Sequence, residues 1–551
     1  MGDKVQTGAL YISAASKSSG KTIVSVGIAA ALRERGIAVQ TFKKGPDYID
    51  PMWLAAASGR PCRNLDFHTM SESEIRFEFR HHRPPSPGFR LFEGTKGLHD
   101  GVSIDGSDSN AALARLLDIE VALVIDTRGM TRGIAPLLLG YRNFDPDLAR
   151  AGVILNRSGG SRHEAKLIRA VETFTDWQVL GVLGNSPALS LDSGHLGLVP
   201  PPSTVDDARR VDDRGDDRAS KAKTDAALDP APEKTLARPL RAMAEAIEKG
   251  IDLSRLLEAS KARRKVEDES IAFAATPPEQ VPEAAPTSLP QGFAASACSP
   301  GVRIGIAWDA AFRFYYPGDL ESLAREGAEL VFFDTLRDSH LPQVDGVFIG
   351  GGFPERAAAD LEKNTPLRLT LRRAIEKGLA VYAECGGLMY LARSIRSDRF
   401  QAEMVGAIPG DIRMHTRPQG RGYALLSPTG AAPWQPAGED PLPAHEFHHS
   451  SIDNLPSDGW SHAYRVRRGY GIDGEKDGIV IGNLLASYCH LRDVQGCRWT
   501  RRFVDFLRRQ KLSSLAERAL AEPEDSCSLR APIPDRPLSP ALAKACGNIE
   551  G

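Results

Sequence analysis

Cys385 lies in the run Tyr382-Ala383-Glu384-Cys385-Gly386-Gly387, directly after the apolar stretch Leu379-Ala380-Val381. That order reads as a buried strand delivering a cysteine into a tight glycine turn. Such a strand-to-helix elbow exposes a nucleophile and aims backbone N–H groups at it. A second glycine run, Gly350-Gly351-Gly352-Phe353-Pro354-Glu355, follows the apolar stretch 344–349 and offers further N–H donors to an oxyanion. The bland alternative is a buried inert thiol, which the flanking glycines argue against.

A different chemistry is written at the other end of the chain. Ala15-Ser16-Lys17-Ser18-Ser19-Gly20-Lys21-Thr22 matches G-x-x-x-x-G-K-[ST] except that Ala15 stands in the first position. A strand precedes it and an amphipathic helix follows, the context the motif needs. Loop N–H groups of Ser18, Ser19 and Gly20 would cradle phosphate oxygens. Lys21 would reach the terminal phosphates of ATP and Thr22 would ligate Mg2+. The alternative is a Ser/Gly turn that merely caps a helix.

Three further strand ends carry charge. The stretch 121–126 ends in Asp126, a candidate Mg2+ ligand whose alternative is a helix cap. Lys43-Lys44-Gly45-Pro46-Asp47-Tyr48-Ile49-Asp50-Pro51 places two lysines and two aspartates in one glycine- and proline-rich turn. That density suits phosphate, Mg2+ and a polyanionic substrate, with Asp47 as a metal ligand and Lys44, Tyr48 and Asp50 toward substrate. Glu93-Gly94 and Gly97-Leu98-His99-Asp100-Gly101 repeat the pattern. Glu93 is a candidate metal ligand, and Asp100 a candidate substrate contact. Asn156, at the end of its strand, is a candidate for reading the adenine edge.

The elements that must position these residues alternate. Apolar runs at 9–13, 39–42, 89–93, 121–126, 152–156 and 179–183 are separated by amphipathic stretches such as 21–35 and 162–173. This predicts βαβ units and a parallel sheet over 8–200. Residues 201–236 are rich in Pro, Asp and Arg and predict a disordered insertion. Helical periodicity returns over 237–262, and 263–301 reads as a Pro/Ala-rich linker. A second alternating block spans 302–510, with strands at 303–307, 330–333, 346–350, 379–383 and 479–481 and a closing helix at 497–508. The tail 511–551 shows several prolines and no clear strand. The fold class is therefore α/β, an N-terminal parallel-sheet domain followed by a second α/β domain.

Composition sets limits. The chain has 551 residues, a net charge of −2, 42% hydrophobic and 25% charged residues, all globular values. Near-neutral charge gives no electrostatic footprint for nucleic acid or an anionic membrane. No apolar run approaches the roughly 18–20 residues that span a bilayer. Seven scattered cysteines predict no disulfide framework, and no His/Cys cluster has zinc spacing. A cytoplasmic protein is the expectation, with a homodimer left open.

Together these motifs resemble the cobyrinate a,c-diamide synthase family of glutamine-dependent amidotransferases. The resemblance rests on 43–51, Asp126-Thr127-Arg128-Gly129-Met130, 152–157, His195-Leu196-Gly197-Leu198-Val199-Pro200 and Phe314-Tyr315-Tyr316-Pro317. It continues through 350–355, 383–390, His445-Glu446-Phe447-His448 and Ser487-Tyr488-Cys489-His490-Leu491. It covers 8–200 and about 237–508. It implies a dethiobiotin-synthetase-like P-loop domain followed by a class I glutaminase domain. It also implies the reaction: ATP converts a tetrapyrrole carboxylate to an acyl phosphate, and L-glutamine hydrolysed nearby supplies ammonia. Cys385 would be the nucleophile and His490 its base, with Gly352 and Gly386 as oxyanion donors. Glu446 and His448 lie near that site by family analogy, as base orienter or structural partner.

Where the family usually reads Val-Met, this chain has Thr95-Lys96. Lys96 is thus a candidate partner for an extra substrate carboxylate, or simply a solvated lysine. The segment resembles a branch thought to amidate sirohaem, and another branch amidates nickel-sirohydrochlorin. A partition-type P-loop ATPase, a switch rather than a synthetase, is the alternative of a different class. Lys17 is one position out of register for it, and it needs no glutaminase.

Overall fold

The structure, a computed structural model, describes residues 8–186, 232–260, 301–435 and 440–521, with a few single positions and short pairs between them. Positions 202–231, 261–300 and 522–551, which hold most of the expected insertion, linker and tail, lie outside the described residues. So does most of the 195–200 motif.

The first sheet contains β1 (Gly8–Ala14), β2 (Ala38–Lys44), β3 (Arg63–Leu65), β4 (Gly88–Glu93), β5 (Glu120–Asp126), β6 (Arg150–Ser158) and β7 (Val179–Gly184). Its order is β3-β2-β4-β1-β5-β6-β7, and every neighbouring pair is parallel. A parallel sheet is covered on both faces, which is why these strands read as continuous apolar runs. The three-residue β3 has no such run and escapes the pattern. Helix α1 (Lys21–Glu34) begins directly after Gly20 and carries no side-chain cap, so its first N–H groups remain available to an anion. The helix Pro232–Gly250 lies over α1, where a Cβ on Gly27 would fall 2.5 Å from Ile247 Cγ1. Leu240, Met243, Ile247, Leu253 and Leu256 join Val24 and Ile28 in one buried cluster. The segment after the insertion therefore completes the core of the first sheet.

The second sheet has nine strands. In space they run Ala328–Phe333, Val302–Ala307, Gly346–Ile349, Ala380–Glu384, Leu484–Ser487, Lys476–Ile481, Ser461–Arg468, Gly420–Pro428 and Leu442–His448. Pairing is parallel as far as Leu484–Ser487 and antiparallel beyond it. Four of the five parallel strands coincide with predicted ones, and Leu484–Ser487 is the exception; the predicted strand at 479–481 falls in the antiparallel part. Most of the antiparallel extension was not anticipated. Its strands alternate polar and apolar residues and include a register shift between Leu425 and Leu426, which blurs the period. The closing helix runs Trp499–Ala521, well past the expected end at 508. Among the described residues no helix is long and apolar enough to cross a membrane.

Candidate active site

Strand Ala380–Glu384 is buried throughout and delivers Cys385 at φ 47°, ψ −99°, immediately before the helix Gly386–Leu391. Positive φ at a residue with a Cβ costs on the order of 1–3 kcal/mol and persists only when its surroundings enforce it. Here they do. Cys385 N donates to Ser487 O at 2.7 Å. A Cβ on Gly387 would sit 2.3 Å from Ile349 O, and one on Gly386 would sit 2.8 Å from Gly352 N. Only glycine lets the two glycine runs abut. The backbone amides of Gly352 and Gly386 are thereby brought to one place beside the thiol.

His490 follows strand Leu484–Ser487, the spatial neighbour of the cysteine's own strand. Its backbone is pinned on both sides: His490 N donates to His445 O at 2.7 Å, and His445 N to His490 O at 3.1 Å. Its Nδ1 lies 3.1 Å from Glu384 Oε2. Glu384 Oε1 accepts from Tyr382 Oη at 2.7 Å and from Leu491 N at 3.0 Å, so the carboxylate is itself held. An imidazole that gives Nδ1–H to a carboxylate keeps Nε2 for the nucleophile. Burial disfavours a charge on His490, but its hydrogen bonds to Cys385 and Glu384 outweigh burial and push its pKa up to about 10. The imidazole is thus built to hold its proton beside the thiol.

Glu446 and His448 do not orient this histidine. Glu446 accepts from Tyr470 N at 2.7 Å and Gly471 N at 2.8 Å, closing a turn. His448 Nδ1 faces Ser450 O at 2.8 Å and its ring stacks on Tyr488.

In the phosphate loop, Ser18 (φ 64°) and Gly20 (φ 93°) take left-handed backbone. Lys21 Nζ donates to Lys96 O at 2.6 Å. Thr22 Oγ1 donates to Glu93 Oε1 at 2.6 Å. Lys43 Nζ bridges Asp50 Oδ2 at 2.6 Å and Glu93 Oε1 at 2.8 Å. Glu93 Oε2 is buried and meets no hydrogen-bond partner among the described residues. Burial, reinforced by the charge of Asp50, pushes the Glu93 carboxyl up to about 7 despite Lys43. Burial and Asp50 push Asp47 up to about 6. Burial lowers Lys21 to about 8, helped by the Lys43 cation.

The remaining predicted residues are placed as follows. Asn156 Nδ2 donates to Ser19 O at 2.8 Å, and its Oδ1 accepts from Arg157 N at 2.9 Å. Its amide braces the loop. Asp126 is occupied by Arg128 Nη2 at 2.7 Å and Arg157 Nη1 at 2.8 Å, which hold its pKa down at about 2 against burial. Lys44 is buried and its amine is lowered by that burial. Lys96 is exposed at φ 54° and Asp100 accepts from Gly97 N at 2.9 Å, both beside the loop. Asn110, unmarked by any motif, ties this loop together through Thr95 O at 2.6 Å and Gly97 O at 2.5 Å.

The strand ends of the two sheets face each other. Arg492 Nη2 donates to Asn64 O at 2.6 Å, and Tyr423 Oη to Asp66 Oδ1 at 2.7 Å. Tyr48, a candidate substrate contact, lies between the halves. Its ring centroid is 5.2 Å from Phe314, 4.7 Å from Tyr316 and 5.1 Å from His490.

Comparison with known proteins agrees with this division. Residues 12–197 match the family model for a CobQ/CobB/MinD/ParA nucleotide binding domain, and residues 303–493 the CobB/CobQ-like glutamine amidotransferase domain. A cobyrinate a,c-diamide synthase of Magnetococcus marinus is 40% identical over 494 residues, 89% of this chain and 95% of that protein. The chain belongs to the cobyrinate a,c-diamide synthase family. A synthase of that name from Methanosarcina acetivorans is 38% identical over 88% of this chain and 92% of that protein. A third, from Listeria innocua, is 33% identical over 88% of this chain and 96% of its own length.

Family membership makes the chain a glutamine-dependent amidotransferase with a nucleotide-binding domain, as the resemblance implied. Within that family frame, Glu384 is the residue sequence reading passed over. It stands beside the nucleophile in the motif, yet its role depends on a histidine 106 positions away. Lys43 was seen only as part of a charged run; the structure makes it the hub of Asp50 and Glu93.

Proposed function

We propose that the chain amidates the a and c acetate carboxylates of a cobyrinate-type tetrapyrrole, using ATP and glutamine, as a step of cobalamin biosynthesis. The observation that carries this reading is the facing of two unlike sites. A Cys385–His490–Glu384 relay opens opposite a phosphate loop lined by Lys21, Thr22, Lys43 and Glu93.

The thiolate of Cys385 attacks the amide carbon of glutamine. The developing oxyanion is met by the amides of Gly352 and Gly386, and His490 gives its proton to the departing nitrogen. Ammonia leaves, and water then releases glutamate from the thioester. At the other site an acceptor carboxylate oxygen takes the γ-phosphoryl group of ATP, giving ADP and an acyl phosphate. Lys21 offsets the charge spreading over the transferred group. Ammonia attacks the acyl carbon, phosphate departs with the C–O bond, and the amide remains. A carboxylate resists ammonia until it is so activated. Bulk ammonia is mostly ammonium at neutral pH, so a nearby source of the free base is needed.

Mg2+ fits this site through Thr22 and the orphaned Glu93 Oε2. Among the described residues no set of three carboxylate, His or Cys groups holds a metal by itself, so nucleotide phosphates would complete the shell. Bound there, the ion would neutralise phosphate charge. Asp47 stands nearby as a further ligand; Asp126 is committed to its two arginines.

The acceptor has a second reading in sirohaem or a metallo-sirohydrochlorin, which Lys96, exposed beside the loop, favours through a pairing with an extra carboxylate. Incubation with ATP, Mg2+ and glutamine against cobyrinate, sirohaem and sirohydrochlorin separately tests both. Mass spectrometry counts carboxyl-to-amide changes. Amidation of cobyrinate twice supports the first reading, amidation of a sirohaem-type acceptor alone replaces it with the second, and no amidation of any acceptor contradicts both.

A further inference from the structure

We propose that Tyr48, a residue of the nucleotide-binding half, completes the glutaminase site by positioning the His490 imidazole. The inference rests on the amidation reading above and extends it to how the two sites are joined. Tyr48 caps the N-terminal end of α2 (Ile49–Ser58), inside the charged turn that follows β2. Its ring lies nearly parallel to Phe314, with 8° between planes at 5.2 Å, and tilts onto His490 at 5.1 Å. Tyr316 closes the third side at 4.7 Å and donates to Pro46 O at 3.4 Å, so the turn is gripped from the glutaminase half.

His490 has a carboxylate on its Nδ1 edge and Gly351 against its Cε1, where a Cβ would approach to 2.6 Å. Tyr48 supplies a further wall. Without it the imidazole would keep its hydrogen bond to Glu384 but could swing about it, and the site would be open toward the nucleotide half. An imidazole about 1 Å out of place costs on the order of a hundredfold in rate.

The same turn reaches the phosphate site by a short covalent path. Two residues beyond Tyr48, Asp50 accepts from Lys43, which also holds Glu93. Asp47, one residue before, accepts from Ile49 N at 2.9 Å and Asp50 N at 3.2 Å, stiffening the turn. Any change at Lys43 and Glu93 when nucleotide binds is thus transmitted to the ring beside His490 through three consecutive residues of α2 and its cap. Coupling of this kind needs a physical connection that both sites bias.

The test measures glutamate release, and amidation driven by glutamine or by ammonium salt, in the full chain carrying Tyr48→Ala or Tyr48→Phe. In Tyr48→Ala, kcat for glutamate release falls about tenfold to a hundredfold, with KM for glutamine changed less than about twofold. The ratio of glutamine-driven to ammonium-driven amidation falls with it. Tyr48→Phe, which keeps the ring, restores most of both. Equal losses with glutamine and ammonium would overturn the proposal and return Tyr48 to the acceptor site, as would undiminished glutamate release in Tyr48→Ala. If the unsubstituted chain amidates no tetrapyrrole with either nitrogen source, the functional reading fails, and glutamate release alone still decides the role of Tyr48.

Discussion

Glu384 Oε2 and His490 Nδ1 meet at 3.1 Å, both buried, across a strand pair whose members are 106 positions apart in the chain. The carboxylate sits one residue before the nucleophile, so a single strand end supplies both the thiol and the group that orients its base. Removing the charge while keeping the shape isolates that role. Glu384→Gln should lower kcat for glutamate release by up to about 10⁴-fold, the loss seen when a triad base loses its orienting carboxylate. Ammonium-driven amidation should persist. An undiminished glutaminase rate in this variant would remove Glu384 from the relay.

The glycine at the elbow is predicted to be as exacting as the cysteine. Gly386→Ala drives a methyl to 2.8 Å from Gly352 N, and that neighbour is backbone and cannot step aside. The two oxyanion donors would be forced apart, at a cost of roughly 10²–10³ in kcat when one such donor is lost. Steady-state glutamate release, with circular dichroism to confirm folding, checks this.

The His490 imidazole gains rather than loses affinity for its proton on folding, from 6.5 to about 10. A raised basic group contributes stability that is complete below the unfolded value and is lost as pH rises through the folded one. His490 should therefore add stability below pH 6.5 and lose that contribution on approach to pH 10. Thermal melts of the full chain and of His490→Gln across pH 6–10 should converge at the alkaline end; parallel curves would contradict the assigned ion pair.

Glu93 is raised as well, but here burial favours the neutral form. Its carboxyl is raised from 4.5 to about 7, so the folded protein keeps the proton over that window and is penalised for losing it as pH rises. Magnesium nucleotide needs the ionised form. Affinity for MgATP, measured by calorimetry, should strengthen between pH 6 and pH 8, and Glu93→Gln should bind weakly without that dependence. A pH-independent affinity in the unsubstituted chain would exclude Glu93 from the site.

Both reactive ends were legible because their signals are local. A strand, a tight turn and a helix start lie within a dozen consecutive residues at Ser13–Val24 and again at Val381–Leu391. What stayed hidden depends on pairing across the chain. Glu384 meets His490 only because strand 484–487 lies beside strand 380–384. Lys43 meets Glu93 because β2 pairs with β4, in a register that puts those two residues side by side. A tyrosine in a charged turn suggests a ligand, whereas the rings around Tyr48 come from Phe314, Tyr316 and His490, far along the chain in the other half. Asp126 read as a metal ligand from its strand end, and nothing in that run announces that Arg157 of β6 will claim it.

Ammonia made at one end of the molecule and used at the other is tested directly by Cys385→Ala. With ATP, Mg2+ and the tetrapyrrole acceptor, this variant should form no amide from glutamine. With high ammonium salt it should form amide at a rate near that of the unsubstituted chain. Retained glutamine-driven amidation, or loss of both activities in a folded variant, would contradict the account.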